Sequence, residues 1–166
     1  MFTLLSFLAK AMPSMPNGSG WLTLVALILL GAAAAIDART ARIPDPFILI
    51  GLLITTATQG FLVDWSIAGE HLAVGLVSGM LLYMINEVWY RLKKHDAFGM
   101  GDAKWTVLAV TCFEVLPALF AWVIGACLAL GWMGVMRINK KPITHVHFSP
   151  FLFVGLCAGI YWLRLR

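Results

Sequence analysis

Charged residues are scarce in this sequence. Only 12 of its 166 residues are Lys or Arg and 8 are Asp or Glu, whereas 61% are hydrophobic. A soluble domain typically has roughly 45–50% apolar and about 25% charged residues. The composition therefore excludes an ordinary soluble domain and predicts a polytopic membrane protein, with room for roughly five or six helices of about 20 residues each.

Cysteine is also rare and shows no disulfide or metal-binding pattern. Cys112, Cys127 and Cys157 are odd in number, lie in apolar stretches and form no CxxC pair. We therefore predict neither a disulfide framework nor a zinc site. The net charge of +4 does not indicate a nucleic-acid partner, because the basic residues lie in short gaps between apolar runs, without the pattern of a nucleic-acid module.

The apolar stretches predict an all-α fold with about six transmembrane helices. The predicted spans are residues 21–36, 47–63, 71–90, 105–113, 116–136 and 148–163. The fourth span is too short to cross roughly 30 Å of hydrocarbon at about 1.5 Å per residue. Asp45 and Pro46 are expected to begin the second span as an N-cap and a first-turn proline. Asp64 and Glu70 are expected to bracket a short turn before the third span.

The first 20 residues differ from the rest of the chain. They contain a short apolar run with a single late charge, Lys10, followed by a segment rich in proline and glycine. A cleavable signal peptide normally carries its positive charge before the apolar core. We expect an interfacial segment and linker over residues 1–20, with a discarded signal peptide as the alternative, and one membrane domain over residues 21–166.

The distribution of Lys and Arg predicts the topology. The loops at residues 37–46, 91–104 and 137–147 contain two, four and three of these residues, and the rest of the chain contains three. The positive-inside rule places these three loops in the cytoplasm. Asp37 and Asp102, which adjoin two of these loops, are therefore expected at the same membrane face.

Each of these aspartates has an ordinary explanation, because Asp102 occupies a position suited to an N-cap and Asp37 could simply end a span. However, ionisable residues at membrane depth are costly and tend to mark function. Two carboxylates brought together by helix packing can activate a water molecule against a peptide bond. Gly99 and Gly101 can let the backbone approach an extended peptide closely, since they lack a Cβ atom.

Three motifs carry a resemblance to a known family. Asp37-x-Arg-Thr-x-Arg-Ile-Pro-Asp45, followed by Gly99-Met-Gly-Asp-Ala-Lys104, resembles the pair of aspartate motifs of the prepilin peptidases, which are GxGD-type membrane aspartyl proteases. The run from Phe148 to Gly155 resembles the late Pro-Phe motif of that family. Asp45 stands where the family often has Asn, but other members also carry Asp.

The resemblance implies a fold, an activity and a location. It implies a bacterial inner-membrane endopeptidase that cleaves the leader of type IV pilin-like precursors at the cytoplasmic face, with Asp37 and Asp102 as the catalytic pair and no metal or organic cofactor. Its expected partners are a prepilin and membrane lipid. Because no CxxC pair is present, the chain is closest to the short, peptidase-only members that serve Flp or tight-adherence pili, and N-methylation is not expected.

Further residues are candidates for substrate binding or for support of the aspartates. These are Gly99, Gly101, Arg42, Pro44, Lys104, Glu87 and Pro150. Glu87, with Asn86, could orient an aspartate or simply reach the interface, and the basic candidates, with Arg39, could equally contact anionic lipid. His95, His145 and His147 could in principle bind a metal, but we predict no metal site.

The ends of the helices also suggest a division of roles between the aspartates. Asp37 closes a helix, where the helix dipole disfavours a carboxylate, whereas Asp102 opens one, where it is favoured. We therefore expect Asp37 to hold the proton and Asp102 to be the base, within a dyad that titrates as a coupled pair.

Other classes of protein remain open from the sequence. A lipoprotein signal peptidase has a similar length but would have four spans and aspartates on the outer face. A presenilin-like protease shares GxGD, but its Pro-Ala-Leu motif is not found here. A non-enzymatic scaffold or transport subunit would use both aspartates only as interfacial caps and would tolerate Asn at both positions.

Overall fold

The computed structural model describes residues 20–95, 98–139 and 147–164, and over these residues the secondary structure consists of helices joined by short connections. Six helices follow one another, and they confirm the predicted all-α membrane fold. They are α1 (Gly20–Thr40), α2 (Asp45–Leu62), α3 (Trp65–Lys93), α4 (Met100–Phe113), α5 (Val115–Ile138) and α6 (Ser149–Arg164). The predicted interfacial segment at residues 1–20 lies, except for Gly20, outside the described residues.

Four of the described helices, α1, α2, α3 and α5, are long and apolar enough to cross a membrane. Helix α3 exposes large apolar side chains along most of its length, as expected for a surface that contacts lipid. Helix α4 has 14 residues and α6 has 16. At about 1.5 Å per residue, α4 extends only about 21 Å, so it cannot span the hydrocarbon layer by itself.

The short helix α4 lies in the centre of the molecule. It contacts each of the other five helices, and nine of its 14 residues are buried. Trp105, Leu108 and Val110 provide the large side chains that it contributes to the core. The chain therefore surrounds α4 with longer helices that face the lipid.

The membrane-embedded end of α4 needs polar partners for its last carbonyl groups, since no water is available there. The Gln59 side chain of α2 supplies one by donating a hydrogen bond from Nε2 to the Thr111 carbonyl oxygen at 2.8 Å. Glu114 then reverses the chain with a positive φ of 69°, and α5 begins at the next residue. The Glu114 carboxylate lies 3.4 Å from His71 Nε2 on α3.

The turn before α3 differs from the predicted one. Glu70 lies inside α3, which begins at Trp65, so Asp64 and Glu70 do not bracket a turn. The Asp64 carboxylate accepts a hydrogen bond from the Ser66 backbone N–H at 2.7 Å and so caps the helix. The prediction was wrong because it treated Glu70 as a helix boundary rather than as a polar residue in an early turn of the helix.

Helix α3 crosses α4 at very close range. A Cβ atom at Gly75 would lie 2.2 Å from Thr111 Oγ1 and 2.9 Å from the Val107 carbonyl oxygen. Only glycine fits this crossing, which agrees with the small-residue packing common between membrane helices.

Candidate active site

A pocket of about 1000 Å³ opens at one end of the bundle, where three connections between helices meet. These connections join α1 to α2, α3 to α4 and α5 to α6. The lining residues are Ile36, Asp37, Thr40, Ala41, Arg42, Ile43, Pro44, Asp45, Gly99, Met100, Gly101, Asp102, Lys104, His147 and Phe148. The three loops that the charge distribution assigns to one membrane face therefore contribute to a single pocket.

Asp102 lies in the first turn of α4, three residues after the N-cap, which is Gly99. The sequence suggested that Asp102 could be the N-cap, but the structure shows that the N-cap is Gly99. Its Oδ2 accepts a hydrogen bond from the Gly99 backbone N–H at 3.2 Å, and its Oδ1 accepts one from the Ser149 hydroxyl at 3.0 Å. The side chain reaches back to the cap residue in the manner of an acidic residue in a capping box.

Asp102 lies outside the four helices long enough to span the membrane, and its carboxyl group is 5% exposed. Burial raises its pKa from the ordinary 3.8 to about 6. The Ser149 hydrogen bond lowers the pKa, the charge of Asp37 raises it, and the Gly99 N–H and His147 lower it. The helix-end argument omitted burial, which is the largest effect on Asp102. The assignment of the proton to Asp37 stays a prediction.

Asp37 lies in the last turn of α1, which continues to Thr40 instead of ending at the aspartate. Its side chain is buried, at 6% exposure, and it approaches Asp102 across the backbone of Gly101. A Cβ atom at Gly101 would lie 3.1 Å from Asp37 Oδ1 and 3.8 Å from Asp37 Cγ. The second glycine of GxGD therefore makes room for the other aspartate.

The loop between α1 and α2 is attached to α4 by Lys104. The Lys104 ammonium forms an ion pair with Asp45 and donates a hydrogen bond to the Ile43 carbonyl oxygen at 3.4 Å. Pro44 is the N-cap residue of α2 and lines the pocket, as does the exposed Arg42. Lys104, which was predicted to contact substrate or lipid, thus has partners within the protein.

Two of the predicted site residues do not line the pocket. Glu87 lies on an exposed face of α3 and pairs with Arg91 at 2.8 Å, one helical turn away, so the structure does not bring it to the aspartates. Its neighbour Asn86 instead accepts a hydrogen bond from the Phe98 backbone N–H at 3.3 Å. Pro150 is the second residue of α6, next to Ser149, and it is outside the pocket lining.

Of the three histidines considered, His147 lines the pocket. The His95 ring packs against the Trp89 ring, with the two ring centroids 6.2 Å apart. His145 lies outside the described residues. Within the described part of the chain, no group of three potential metal ligands is found. Sequence reasoning missed His147 and Ser149 as neighbours of Asp102. The available signal was their position beside the Pro-Phe motif, at the start of the last helix.

Comparison with known proteins agrees with this arrangement. Residues 24–136, which include both aspartates, match the model of the type IV leader peptidase family. The chain belongs to this family. It is 32% identical over 169 aligned positions to a prepilin leader peptidase/N-methyltransferase of Dickeya chrysanthemi, with 94% of this chain and 56% of the relative covered. A protein of the same name from Pectobacterium carotovorum subsp. carotovorum is 30% identical, with 96% and 58% covered.

The chain thus spans a little over half the length of the curated relatives it matches. No solved structure matches it. The family match favours a leader peptidase over a lipoprotein signal peptidase or a presenilin-like protease, the two enzyme alternatives that the sequence left open.

Proposed function

We propose that this protein is a membrane aspartyl endopeptidase that cleaves the leader of type IV, Flp-like prepilins at the cytoplasmic face of the bacterial inner membrane. The observation that carries the proposal is the pair of buried carboxylates, Asp37 and Asp102, which line one pocket on either side of Gly101. The names of the two relatives include a prepilin leader peptidase activity. Those names also include an N-methyltransferase, which we do not propose for this pocket.

The two carboxylates would share one proton during the reaction. One ionised carboxylate removes a proton from a water molecule, which attacks the carbonyl carbon of the scissile peptide bond. The protonated partner hydrogen-bonds to the carbonyl oxygen and supports the negative charge that develops on it. The carboxylic acid formed by removing the proton from water then donates that proton to the amide nitrogen, so that the C–N bond breaks and the new carboxyl and amino ends are released. The charge of Asp37 raises the pKa of Asp102, and such an interaction between two carboxylates favours one proton on the pair.

The location of the pocket suits an amphiphilic substrate. The pocket is built from the loops that contain nine of the 12 Lys and Arg residues, which supports a cytoplasmic orientation. A prepilin would place its leader in the cytoplasm and its apolar helix in the bilayer. The bond between these two parts would then lie at the level of the aspartates.

The proposal is tested by cleavage of a Flp-type prepilin with the purified protein in liposomes. We expect Asp37→Asn and Asp102→Asn each to lower the cleavage rate at least about a hundredfold, since each removes a general acid or base. Asp64→Asn is the matched control, because Asp64 is exposed, caps the start of α3, and Asn is an equally good cap.

Full cleavage by either dyad variant, or no cleavage by the folded wild type, would contradict the proposal. The non-enzymatic scaffold or transport subunit would then be the better explanation, because it predicts tolerance of Asn at both positions. Retained helix content and thermal unfolding in each variant would establish that the comparison is between folded proteins.

A further inference from the structure

The protein holds one of the two carboxylates much more firmly than the other. Both oxygens of Asp102 accept hydrogen bonds, one from the Ser149 hydroxyl and one from the Gly99 backbone N–H. Among the residues that the structure describes, none donates a hydrogen bond to the Asp37 carboxylate. Ser149 is fully buried, so its hydroxyl cannot turn to solvent for a partner.

The hydroxyl of Ser149 is not needed to cap its own helix. Ser149 is the first residue of α6, and the side chain that usually accepts hydrogen bonds from the free N–H groups of the first turn is that of the residue before it, here Phe148. Here the Phe148 carbonyl oxygen already accepts hydrogen bonds from the N–H groups of Phe151 and Leu152, at 2.9 and 3.1 Å. Ser149 donates outward to Asp102 instead, which argues against a purely local structural role.

A group of aromatic side chains holds the two donors in place. Trp122 on α5 lies between Phe98 and Phe148, with ring centroids at 5.6 and 5.3 Å. Phe98 immediately precedes Gly99, and Phe148 immediately precedes Ser149. One tryptophan therefore braces both segments that hydrogen-bond to Asp102.

Trp122 is itself tied to the helix that carries Asp102. Its Nε1–H donates to Thr106 Oγ1 at 3.0 Å, and Thr106 Oγ1 donates to the Asp102 carbonyl oxygen at 2.7 Å. The indole, the two phenyl rings and the first turn of α4 thus form one connected unit. Any rotation of the Asp102 carboxylate must break a hydrogen bond that this unit supports.

We infer that Ser149 is a positioning residue of the active site, which orients the Asp102 carboxylate and is held in place by Trp122. This inference rests on the proposed function, in which Asp102 acts on the water or on the peptide carbonyl group. A fixed carboxylate plane preorganises this step.

The first test measures the titration of Asp102 without any substrate. The full-length protein, labelled with carboxyl-¹³C aspartate, is titrated by NMR in detergent micelles, and the Asp102 signal is assigned from its loss in Asp102→Asn. The Ser149 hydroxyl stabilises the ionised form, so Ser149→Ala is expected to raise the pKa of Asp102 above the wild-type value. The other charged groups that line the pocket near it, Asp37, His147 and Lys104, are unchanged in this variant.

Ser149→Cys has nearly the same shape but a weaker donor, and we expect a smaller shift in the same direction. If Ser149→Ala does not fold, the titration of Ser149→Cys provides the test instead. Ser78→Ala is the control, because that exposed hydroxyl bonds only to its own helix at the Val74 carbonyl. An Asp102 titration that is unchanged in both Ser149 variants would overturn the inference.

The second test measures the pH profile of prepilin cleavage. In Ser149→Ala, the limb of the profile that belongs to Asp102 is expected to move to higher pH, whichever form of Asp102 the reaction requires. If the reaction requires ionised Asp102, cleavage on the acidic side of the profile is expected to fall about tenfold, as for one hydrogen bond to a charged group. If it requires protonated Asp102, cleavage on the alkaline side is expected to rise by a similar factor. A uniform loss at every pH, with the limb in place, would contradict a positioning role.

The two tests separate this inference from the proposed function. A shifted titration in a wild type that cleaves no prepilin would leave Ser149 as the residue that orients Asp102 and would remove the proposed peptidase activity. Cleavage by the wild type, with an unshifted titration and pH profile in the Ser149 variants, would support the peptidase activity and would remove the proposed role of Ser149.

Discussion

Helix α4 carries a carboxylate at each end, and the fold treats the two in opposite ways. Glu114, which follows its last residue, keeps 28% of its side chain exposed and lies beside His71 as a basic partner. Asp102 is buried, accepts its hydrogen bonds from neutral donors and has a second carboxylate, Asp37, beside it, whose charge raises its pKa more than His147 lowers it. A partly exposed carboxylate beside a basic side chain is typical of a structural contact, whereas a buried carboxylate beside another carboxylate is typical of a catalytic site.

The largest expected effect is on the cleavage rate, and it comes from Gly101, the glycine next to Asp102 at the start of α4. Gly101→Ala would place a methyl group 3.1 Å from Asp37 Oδ1, closer than a Cβ atom normally lies. We expect the cleavage rate to fall by roughly ten- to a hundredfold, because small displacements of catalytic groups are costly. Gly99→Ala is the matched control in the same motif, since its Cβ atom would meet Asp102 Oδ2 at an ordinary 3.4 Å.

Equal cleavage rates in Gly101→Ala and Gly99→Ala would show that the spacing of the two aspartates does not depend on the second glycine. Rates are compared after the thermal unfolding temperature of each variant has been measured, so that a loss of folded protein is not counted as a loss of activity.

At the other end of α4, the same kind of substitution should affect stability. Gly75→Ala would bring a methyl group within 2.9 Å of the Val107 carbonyl oxygen and 2.2 Å of Thr111 Oγ1. We expect a loss of about 1–3 kcal/mol in the free energy of unfolding, as for other overpacked sites. Chemical unfolding in mixed micelles measures this, with Gly69→Ala on the same helix as the control, since no atom lies within 4 Å of its added Cβ.

A Gly75→Ala protein as stable as Gly69→Ala would contradict the close crossing of α3 and α4. A loss of cleavage without a loss of stability would instead connect this crossing to the active site.

The third prediction is a pH dependence of stability that is specific to Asp102. Its pKa of about 6 in the folded protein lies above the ordinary 3.8, so its contribution to stability is complete below about pH 4 and is lost as the pH rises through 6. In Asp102→Asn, the side chain does not ionise, so this loss of stability does not occur. A shift of about two pKa units corresponds to about 3 kcal/mol, and each kcal/mol moves the unfolding temperature of a chain of this size by about 2–4 °C. Between pH 4 and pH 7 we therefore expect the unfolding temperature of the variant to rise by about 6–12 °C relative to the wild type.

Parallel unfolding temperatures of wild type and Asp102→Asn across this range would mean that burial does not raise the pKa of Asp102. Thermal scans by circular dichroism at constant ionic strength provide the measurement, and the values near pH 4 serve as the internal reference.

The order and approximate bounds of the helices follow from the sequence because apolar runs and charged breaks are strong local signals. The short α4 was predictable in the same way, since Glu114 interrupts an apolar run after Trp105. The start of α3 was missed because only two residues, Val63 and Asp64, separate it from α2, and Glu70 is as polar as a true boundary residue.

The site was predictable only in part. Asp37 and Asp102 were found because charged residues stand out in apolar surroundings, and a topology argument placed both at one face. Ser149 and Trp122 could not be found in this way, since a serine before a proline and a tryptophan in a span are ordinary residues locally. Their roles arise from contacts between helices that lie far apart in the sequence, such as the Ser149–Asp102 hydrogen bond.

The attachment of Lys104 has a mechanical consequence. Lys104 joins α4 to the loop that follows Asp37, and the Trp105 indole joins α4 to α1 itself through the Leu30 carbonyl oxygen at 3.2 Å. The segments that carry the two aspartates are therefore coupled at two points. Any displacement of α4 would carry α1 and its loop with it, so the gap between the carboxylates should change less than the position of either helix.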